Sequence, residues 1–320
     1  MVPEKGPTTS TTRRRSRRHL PSATGPIFAS LPRAHPPRPG GFFIDMMSFM
    51  NQVTGTGSTK PSRARAAAIV FGVFLVGIVV PIVLNNLDWY RETRSAWPRD
   101  VQWLVHPAFR ILVVLIGWMV LLRLLKGANK PTLGLLVGWK QAAMGFALGF
   151  LCTLPMLAIG MMSARQEVSR DLIYTTIVPG LTEEIFYRAF AFGLMVQVLR
   201  LKLWPAAILT GVIFGLAHLI SASVRAEPIV DQIGWIGMIA IGGLFYAWIY
   251  ERANWNLWVV VALHAGMNLW WDVFDLTSSP MGSSGATISR IMAVGLAVYF
   301  VVFRGVLRPS NTTPASTIRA

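Results

Sequence analysis

Cysteine, acidic residues and charge in general are scarce in this 320-residue chain. Cys152 is the only cysteine, so no intrachain disulfide can form, and within its apolar run it is expected to behave as a small hydrophobe. Charged residues make up 14%, against roughly 25% in a soluble globular domain. With 53% hydrophobic residues and a mean hydropathy of +0.50, the composition predicts a polytopic membrane protein.

Apolar runs long enough to cross a bilayer, at roughly 20 residues each, recur along the chain. Eight such runs can be counted: 66–84, 108–125, 141–162, 172–199, 206–222, 229–250, 256–273 and 286–303. We therefore predict an all-α bundle of about eight transmembrane helices, with a membrane domain over residues 66–306. Residues 1–65 are rich in Pro, Ser, Thr, Gly and Arg and predict a disordered basic tail. Residues 307–320 form a short second tail.

The formal net charge of +16 resembles the signature of a nucleic-acid-binding protein, but its placement does not. Of the 30 Lys and Arg residues, 11 precede residue 66, and most others lie between the apolar runs. In an eight-span arrangement, more of them fall on the side of the N-terminal tail than on the opposite side. That bias follows the positive-inside rule. We therefore predict an integral protein of a bacterial plasma membrane, with both termini cytoplasmic, lipid as its surroundings and no nucleic-acid partner.

The fourth apolar run contains three charged residues, Glu183, Glu184 and Arg188. A charged side chain near the bilayer centre costs roughly 2.5 to 3.5 kcal/mol, so these residues need a reason to be there. Glu184 and Arg188 are four apart with the acid first, the spacing and order that favour an ion pair on a helix. Glu183 is less well placed for this arginine, and we predict that it is the carboxylate free to act.

Pro179 and Gly180 immediately precede this motif. Such a pair either breaks the helix, with Thr182 capping its restart, or only kinks it, as prolines in membrane helices often do. The sequence does not separate the two alternatives.

Two later runs each bring a histidine. Phe214 and His218 share one helix face at four-residue spacing, and Gly211 and Gly215 on the same run predict a close approach by another helix. His264 and Asn268 are likewise four apart. Singly, an intramembrane His or Asn is often only a hydrogen-bonded packing residue. Together with the acid pair and its arginine, they predict a shared polar cavity.

Amide hydrolysis without a covalent intermediate is the chemistry that this set favours. A carboxylate in apolar surroundings suits a general base, so Glu183 is predicted to activate a water held between it and His218. His264 and Asn268 would donate hydrogen bonds to the developing oxyanion, a contribution of roughly 3 to 4 kcal/mol per donor in other hydrolases.

Other hydrolytic signatures are missing. The sequence has no G-x-S-x-G elbow, no H-E-x-x-H zinc pair and no G-x-G-D aspartyl motif. A metal ion held by Glu183, His218 and His264 is an alternative, because two His and one Glu form a known ligand set. We rank it below a mechanism with no metal and no other cofactor.

The three motifs in this order resemble the CAAX-processing and bacteriocin-processing (CPBP) intramembrane endopeptidases, which include the type II CAAX prenyl endopeptidases. That family carries E-E-x-x-x-R, F-x-x-x-H and H-x-x-x-N or D, and this chain matches them with Glu183–Glu184 and Arg188, Phe214 and His218, and His264 and Asn268. The resemblance covers roughly residues 140–273. Tyr187 and Ala189 depart from the Phe and Gly that family members commonly have on either side of the motif arginine.

The resemblance implies an eight-helix bundle with a cavity and a metal-independent glutamic mechanism. Glu183 and His218 would activate the water, His264 and Asn268 would form the oxyanion pocket, and Glu184 and Arg188 would support them. The substrate would be a peptide or membrane protein. Two other functions stay open on the residues alone: a non-catalytic membrane scaffold or regulator, and a transporter that uses these charges as an ion path.

Overall fold

A computed structural model describes residues 60–125, 131–163, 170–220, 222–274 and 284–307. All described residues belong to one compact unit. Regular structure within these ranges is entirely helical, which confirms the predicted all-α class. The predicted tails, residues 1–65 and 307–320, lie almost wholly outside the described residues.

The first helix begins before the predicted boundary of the membrane domain. It starts at Lys60 rather than near residue 66, with Pro61 in its first turn, where the missing N–H of proline is tolerated. Arg63, in the next turn, donates hydrogen bonds to the backbone carbonyl of Leu199. This contact with a distant part of the chain gives the polar start of the helix a tertiary anchor that the local sequence did not show.

The helices follow one another with short connections. In chain order they are α1 (Lys60–Asn86), α2 (Asp88–Ser95), α3 (Arg99–Leu124), α4 (Trp139–Leu151), α5 (Leu154–Ser163), a π-helical segment (Ile173–Ile177), α6 (Val178–Glu183), a second π-helical segment (Glu184–Phe192), α7 (Gly193–Gln197), α8 (Leu203–Ala217), a 3₁₀ turn (His218–Ile220), α9 (Ala222–Ala226), α10 (Ile229–Arg252), α11 (Leu257–Val273), α12 (Ser284–Ala297) and a third π-helical segment (Val298–Phe303).

Within the described ranges, five stretches are long and apolar enough to cross a membrane by themselves: Arg63–Asn85, Arg99–Leu124, Trp139–Met162, Ile229–Arg252 and Ser284–Phe303. Two shorter apolar helices, Leu203–Ala217 and Leu257–Val273, match two more of the predicted runs. The remaining run is the interrupted helix from Ile173 to Gln197, called the central helix below. Every predicted run thus corresponds to helix in the structure, and the chain is an integral membrane protein.

The central helix lies inside the bundle. Every residue from Phe186 to Met195 is buried, and this helix packs against α1, α3, α8, α10 and α11. A helix surrounded by other helices is shielded from lipid, so polar side chains on it can meet protein partners rather than hydrocarbon. The motif with three charges therefore lies on a helix that its neighbours enclose.

Pro179 neither breaks the central helix nor gives it a new N-terminus. Backbone angles at Ile177, Val178, Glu183 and Glu184 are all right-handed helical, and Val178 N–H bonds to Ile173 C=O across the π-helical turn before the proline. Thr182 donates its hydroxyl to Val178 C=O at 2.8 Å and caps no helix start, so of the two alternatives the helix does not break here. The wider turn absorbs the missing N–H of Pro179 while the helix continues.

Small residues set the distance between neighbouring helices. A Cβ on Gly211 would lie 2.9 Å from Ala240 O, and one on Gly215 would lie 2.6 Å from Ile236 O. The predicted close approach at these two glycines is confirmed, and α10 is the partner. At Gly149, on α4, a Cβ would overlap the carbonyl oxygen of Val259 on α11. These backbone contacts are typical of membrane bundles, where packing rather than the hydrophobic effect drives helix association.

We expect Gly149→Ala to destabilise the bundle by about 1 to 3 kcal/mol, because the added methyl group overpacks the contact between α4 and α11. Gly242→Ala is the matched control, since no heavy atom lies within 4 Å of the position its Cβ would take. Thermal unfolding in detergent would compare the two variants. An equal loss of melting temperature in both would contradict the assigned contact.

Candidate active site

A buried charge cluster joins the central helix to α11. Glu184 Oε1 lies 2.9 Å from Arg188 Nη1 and 2.7 Å from His264 Nδ1, and the side chains of Glu184 and Arg188 are 0% and 2% exposed. The ion pair expected from the four-residue spacing is therefore present. Since the carboxylate accepts, His264 donates from Nδ1, and this bond fixes which way the imidazole ring faces.

Aromatic rings hold the Arg188 guanidinium more fully than hydrogen bonds do. Within the described residues, neither Nη1 nor Nη2 makes an aligned hydrogen bond, so the contact with Glu184 is a charge pair. The guanidinium carbon lies 4.3 Å from the ring centre of Phe214 and 5.2 Å from that of Tyr246. Cation–π contacts of this kind strengthen when both groups are desolvated, as they are here.

Glu183 lies beside the same histidine but remains partly open. Its Oε2 is 4.0 Å from His264 Nε2, and its side chain is 17% exposed, against 0% for Glu184. The two carboxylates therefore lie next to different nitrogens of one imidazole ring: Glu184 next to Nδ1 and Glu183 next to Nε2. Glu183 has no arginine or lysine within 4 Å in the described ranges, in agreement with the prediction that Arg188 pairs with its neighbour.

The π-helical segment that starts at Glu184 changes the geometry assumed from sequence. The carboxylates of Glu183 and Glu184 both reach His264, although an α-helix would separate consecutive side chains by about 100°. π-Helical turns are rare and frequent at functional sites. Gly180 brings the whole segment against α11, since a Cβ there would lie 2.7 Å from Ala265 Cβ, next to His264.

His218 lies at the C-terminal end of α8, where the 3₁₀ turn begins. Its Nδ1 donates to Phe214 C=O at 2.8 Å, and this carbonyl is one of those at the helix end that have no backbone partner. Nε2 is therefore the ring nitrogen that is left to bind another group. The ring centre of Phe214 lies 4.9 Å from that of His218 and 6.4 Å from that of His264. Phe214 thus lies between the two histidines.

Two details differ from the water position suggested by the sequence. Within the described residues, the imidazole that lies 4.0 Å from the Glu183 carboxylate is that of His264, and no nitrogen of His218 lies within this distance. Asn268 lies one turn beyond His264 on α11 and is half-buried. Its carboxamide makes no hydrogen bond to another described residue. Neither His218 nor Asn268 therefore makes a polar contact with the carboxylate–imidazole pair in the described residues.

Three residues that contact this cluster or the neighbouring helices were missed at the sequence level. Tyr246, on α10, stacks on the His264 ring at 5.3 Å with an interplanar angle of 18°. Arg110 on α3 and Arg290 on α12 are also charged residues within apolar runs. The guanidinium carbon of Arg110 lies 5.8 Å from the ring centre of Phe186, and that of Arg290 lies 4.4 Å from the ring centre of Trp271. The two arginines could have been found as charges within apolar runs. Tyr246 gave no such signal, because an aromatic residue is ordinary in an apolar helix.

In the part of the chain that the structure describes, no three His, Cys, Asp or Glu side chains are grouped closely enough to hold a metal ion. Of the three candidate ligands Glu183, His218 and His264, Glu183 and His264 approach each other at 4.0 Å. The metal-independent mechanism stays a prediction.

Comparison with known families agrees with the motif pattern. Residues 166–270 match the family model described as Rce1-like type II CAAX prenyl endopeptidase. Over these residues the chain is similar to that family. The match covers about a third of the 320 residues and contains all three motifs, so the predicted CPBP resemblance is confirmed. It supports a membrane endopeptidase in general. No curated protein and no solved structure matches the chain.

The two adjacent carboxylates should differ sharply in their contribution to stability. Glu184→Gln leaves Arg188 buried without its counter-charge, so we expect a loss of about 3 to 5 kcal/mol in the free energy of unfolding. Glu183→Gln should change it by less than about 1 kcal/mol, because this side chain is partly exposed and 4.0 Å from its partner. Thermal unfolding in detergent measures both. A larger loss for Glu183→Gln would refute the assignment.

Proposed function

We propose that this Rce1-like protein is an intramembrane, metal-independent glutamic endopeptidase in which Glu183 activates the attacking water. The observation that carries the proposal is the pair of unequal carboxylates on one imidazole ring. Glu184 is fully buried and neutralised by Arg188, whereas Glu183 is partly open and faces His264 Nε2 at 4.0 Å. One acid is thus structural and the other is available to a substrate.

Glu183 acts as the general base. It takes a proton from a bound water, and the resulting hydroxide attacks the carbonyl carbon of the scissile peptide bond. The same carboxyl group then delivers that proton to the leaving amine as the carbon–nitrogen bond breaks. Each cycle consumes one water, releases a carboxylic acid and an amine, and returns Glu183 to its starting state, so no covalent intermediate or redox partner is required.

His218 helps to orient the water. Because its Nδ1 donates to Phe214 C=O, a neutral ring presents Nε2 as an acceptor for a water O–H. The aromatic edge of Phe214 keeps this ring in place, 4.9 Å away between ring centres. His218 is therefore a positioning partner for the nucleophile.

His264 and Asn268 supply the oxyanion pocket. Nδ1 of His264 is committed to Glu184, so Nε2 is the nitrogen that faces the reacting groups and donates when the ring carries its second proton. Asn268, one turn along α11, adds a carboxamide N–H₂. In other hydrolases, removal of one such donor costs about 2.7 to 4 kcal/mol of transition-state stabilisation.

The substrate in this proposal is a peptide or a membrane-associated protein, reached within the bundle. The name of the matching family adds a specific candidate, a prenylated protein C-terminus, which can be compared with the same peptide lacking the lipid. A bacterial plasma membrane with both termini cytoplasmic remains the predicted setting.

Glu183→Gln should lower peptide cleavage by a factor of about 10² to 10⁴, because general acid–base catalysis contributes that much. The first measurement is a comparison of protein N-termini in cells that carry wild-type or Glu183→Gln protein, scored for one precursor that accumulates uncut. The purified protein in liposomes is then assayed on that precursor. Glu227→Gln, at an exposed position outside the site, is the control.

Undiminished cleavage by Glu183→Gln would reject the mechanism. A wild-type protein that cleaves no precursor, together with an unchanged cellular phenotype for Glu183→Gln, would instead favour the scaffold function. Full activity in the presence of a metal chelator is also expected, and its loss would favour the metal-dependent alternative.

A further inference from the structure

The ring of Tyr246 contacts two members of the site at once. It lies nearly parallel to the His264 imidazole, with 5.3 Å between ring centres, and 5.2 Å from the guanidinium carbon of Arg188. Tyr246 is 7% exposed and belongs to α10, a helix that carries none of the three motifs. With Tyr246, a fourth helix contacts the charged residues of the site.

Phe214 forms the other half of this arrangement. Its ring lies 4.3 Å from the Arg188 guanidinium carbon and 6.4 Å, edge-on, from the His264 ring. Together the rings of Phe214 and Tyr246, called the aromatic clamp below, contact both the cation and the imidazole. Gly243, one turn before Tyr246, makes room for the clamp, since a Cβ there would lie 3.1 Å from Phe214 Cδ1 and 3.4 Å from Arg188 Nη2.

Such a clamp matters here because hydrogen bonds alone do not define the positions of these groups. Arg188 has no aligned hydrogen bond from Nη1 or Nη2 within the described residues, and His264 is held by one bond from Nδ1. A single hydrogen bond leaves the imidazole free to tilt about that bond. Tilting would move Nε2 away from Glu183 Oε2, which lies 4.0 Å away.

We propose that Tyr246 is a positioning residue of the site: its ring fixes the plane of His264 and the place of Arg188, so that Nε2 faces Glu183. The inference rests on the proposed peptidase function for its consequence in catalysis. Its structural part, the fixed orientation of His264, can be tested without any substrate.

The ring rather than the hydroxyl performs this role. Tyr246 Oη donates to the sulfur of Met267 at 3.2 Å, a weak acceptor on α11 that belongs to none of the motifs. Tyr246→Phe keeps both ring contacts and loses only this bond. Tyr246→Leu removes the flat surface against which His264 and Arg188 lie.

Two variants and a matched control test the inference. We expect Tyr246→Leu to lower kcat by about 10- to 100-fold with KM within about 2-fold, since misplacement of a reacting group by about 1 Å can cost this much. Tyr246→Phe should keep kcat within about 3-fold of wild type. Tyr250→Leu is the control, because Tyr250 is equally buried one turn along α10 but contacts Phe192 and Trp255 instead of the site.

A second readout needs no activity. With isotope-labelled histidine and His264→Gln for assignment, the ring nitrogens of His264 should give one sharp set of resonances in wild type, Tyr246→Phe and Tyr250→Leu. In Tyr246→Leu the resonances should broaden or split as the ring samples several orientations.

Each result separates this inference from the proposed function. If Glu183→Gln is inactive while Tyr246→Leu keeps full kcat and sharp His264 resonances, the positioning role is wrong and the peptidase function stands. Loss of kcat in Tyr250→Leu or Tyr246→Phe to the same degree would also overturn it, by showing general loosening of α10 or a role of the hydroxyl. If wild type cleaves nothing, the function fails, and the resonances alone decide whether Tyr246 holds His264.

Discussion

The site depends on one buried arrangement: Arg188 and Glu184 neutralise each other inside the bundle, and Glu184 binds His264 with the same oxygen. Charges without partners could not remain at this depth, because each would have to be dehydrated without compensation. The pair ties the central helix to α11 and leaves Glu183, its sequence neighbour, without a cation of its own. The position of Glu183, the acid used in the proposed mechanism, is thus a consequence of how Glu184 is neutralised.

Local backbone features allow these side chains to come together. Pro179 is followed by a continuous helix rather than a break, with wider turns before it and after Glu183. Gly180 lets the central helix approach α11, and Gly211 and Gly243 let α8 and α10 approach each other beside Arg188. Because these small residues lie on different helices, the cluster needs the packed bundle and cannot form on any isolated segment.

The helical class, the positions of the apolar runs and the Glu184–Arg188 pair all followed from the sequence, since hydropathy and four-residue spacing are local properties. Contacts between helices did not. The bond from His264 to Glu184 joins residues 80 positions apart. Tyr246 could not be singled out, because an aromatic residue is common in an apolar helix. The roles assigned to the site residues remain predictions, because no local sequence pattern distinguishes a histidine that only packs from one that takes part in catalysis.

The contact of Gly180 with Ala265 closes the seam between α6 and α11 one turn before Glu183. Neighbouring extended chains need a spacing of about 4.7 Å, so a polypeptide strand does not fit between these two backbones at this point. Under the proposed function, a peptide substrate would therefore have to reach Glu183 by a route other than the seam at Gly180 and Ala265.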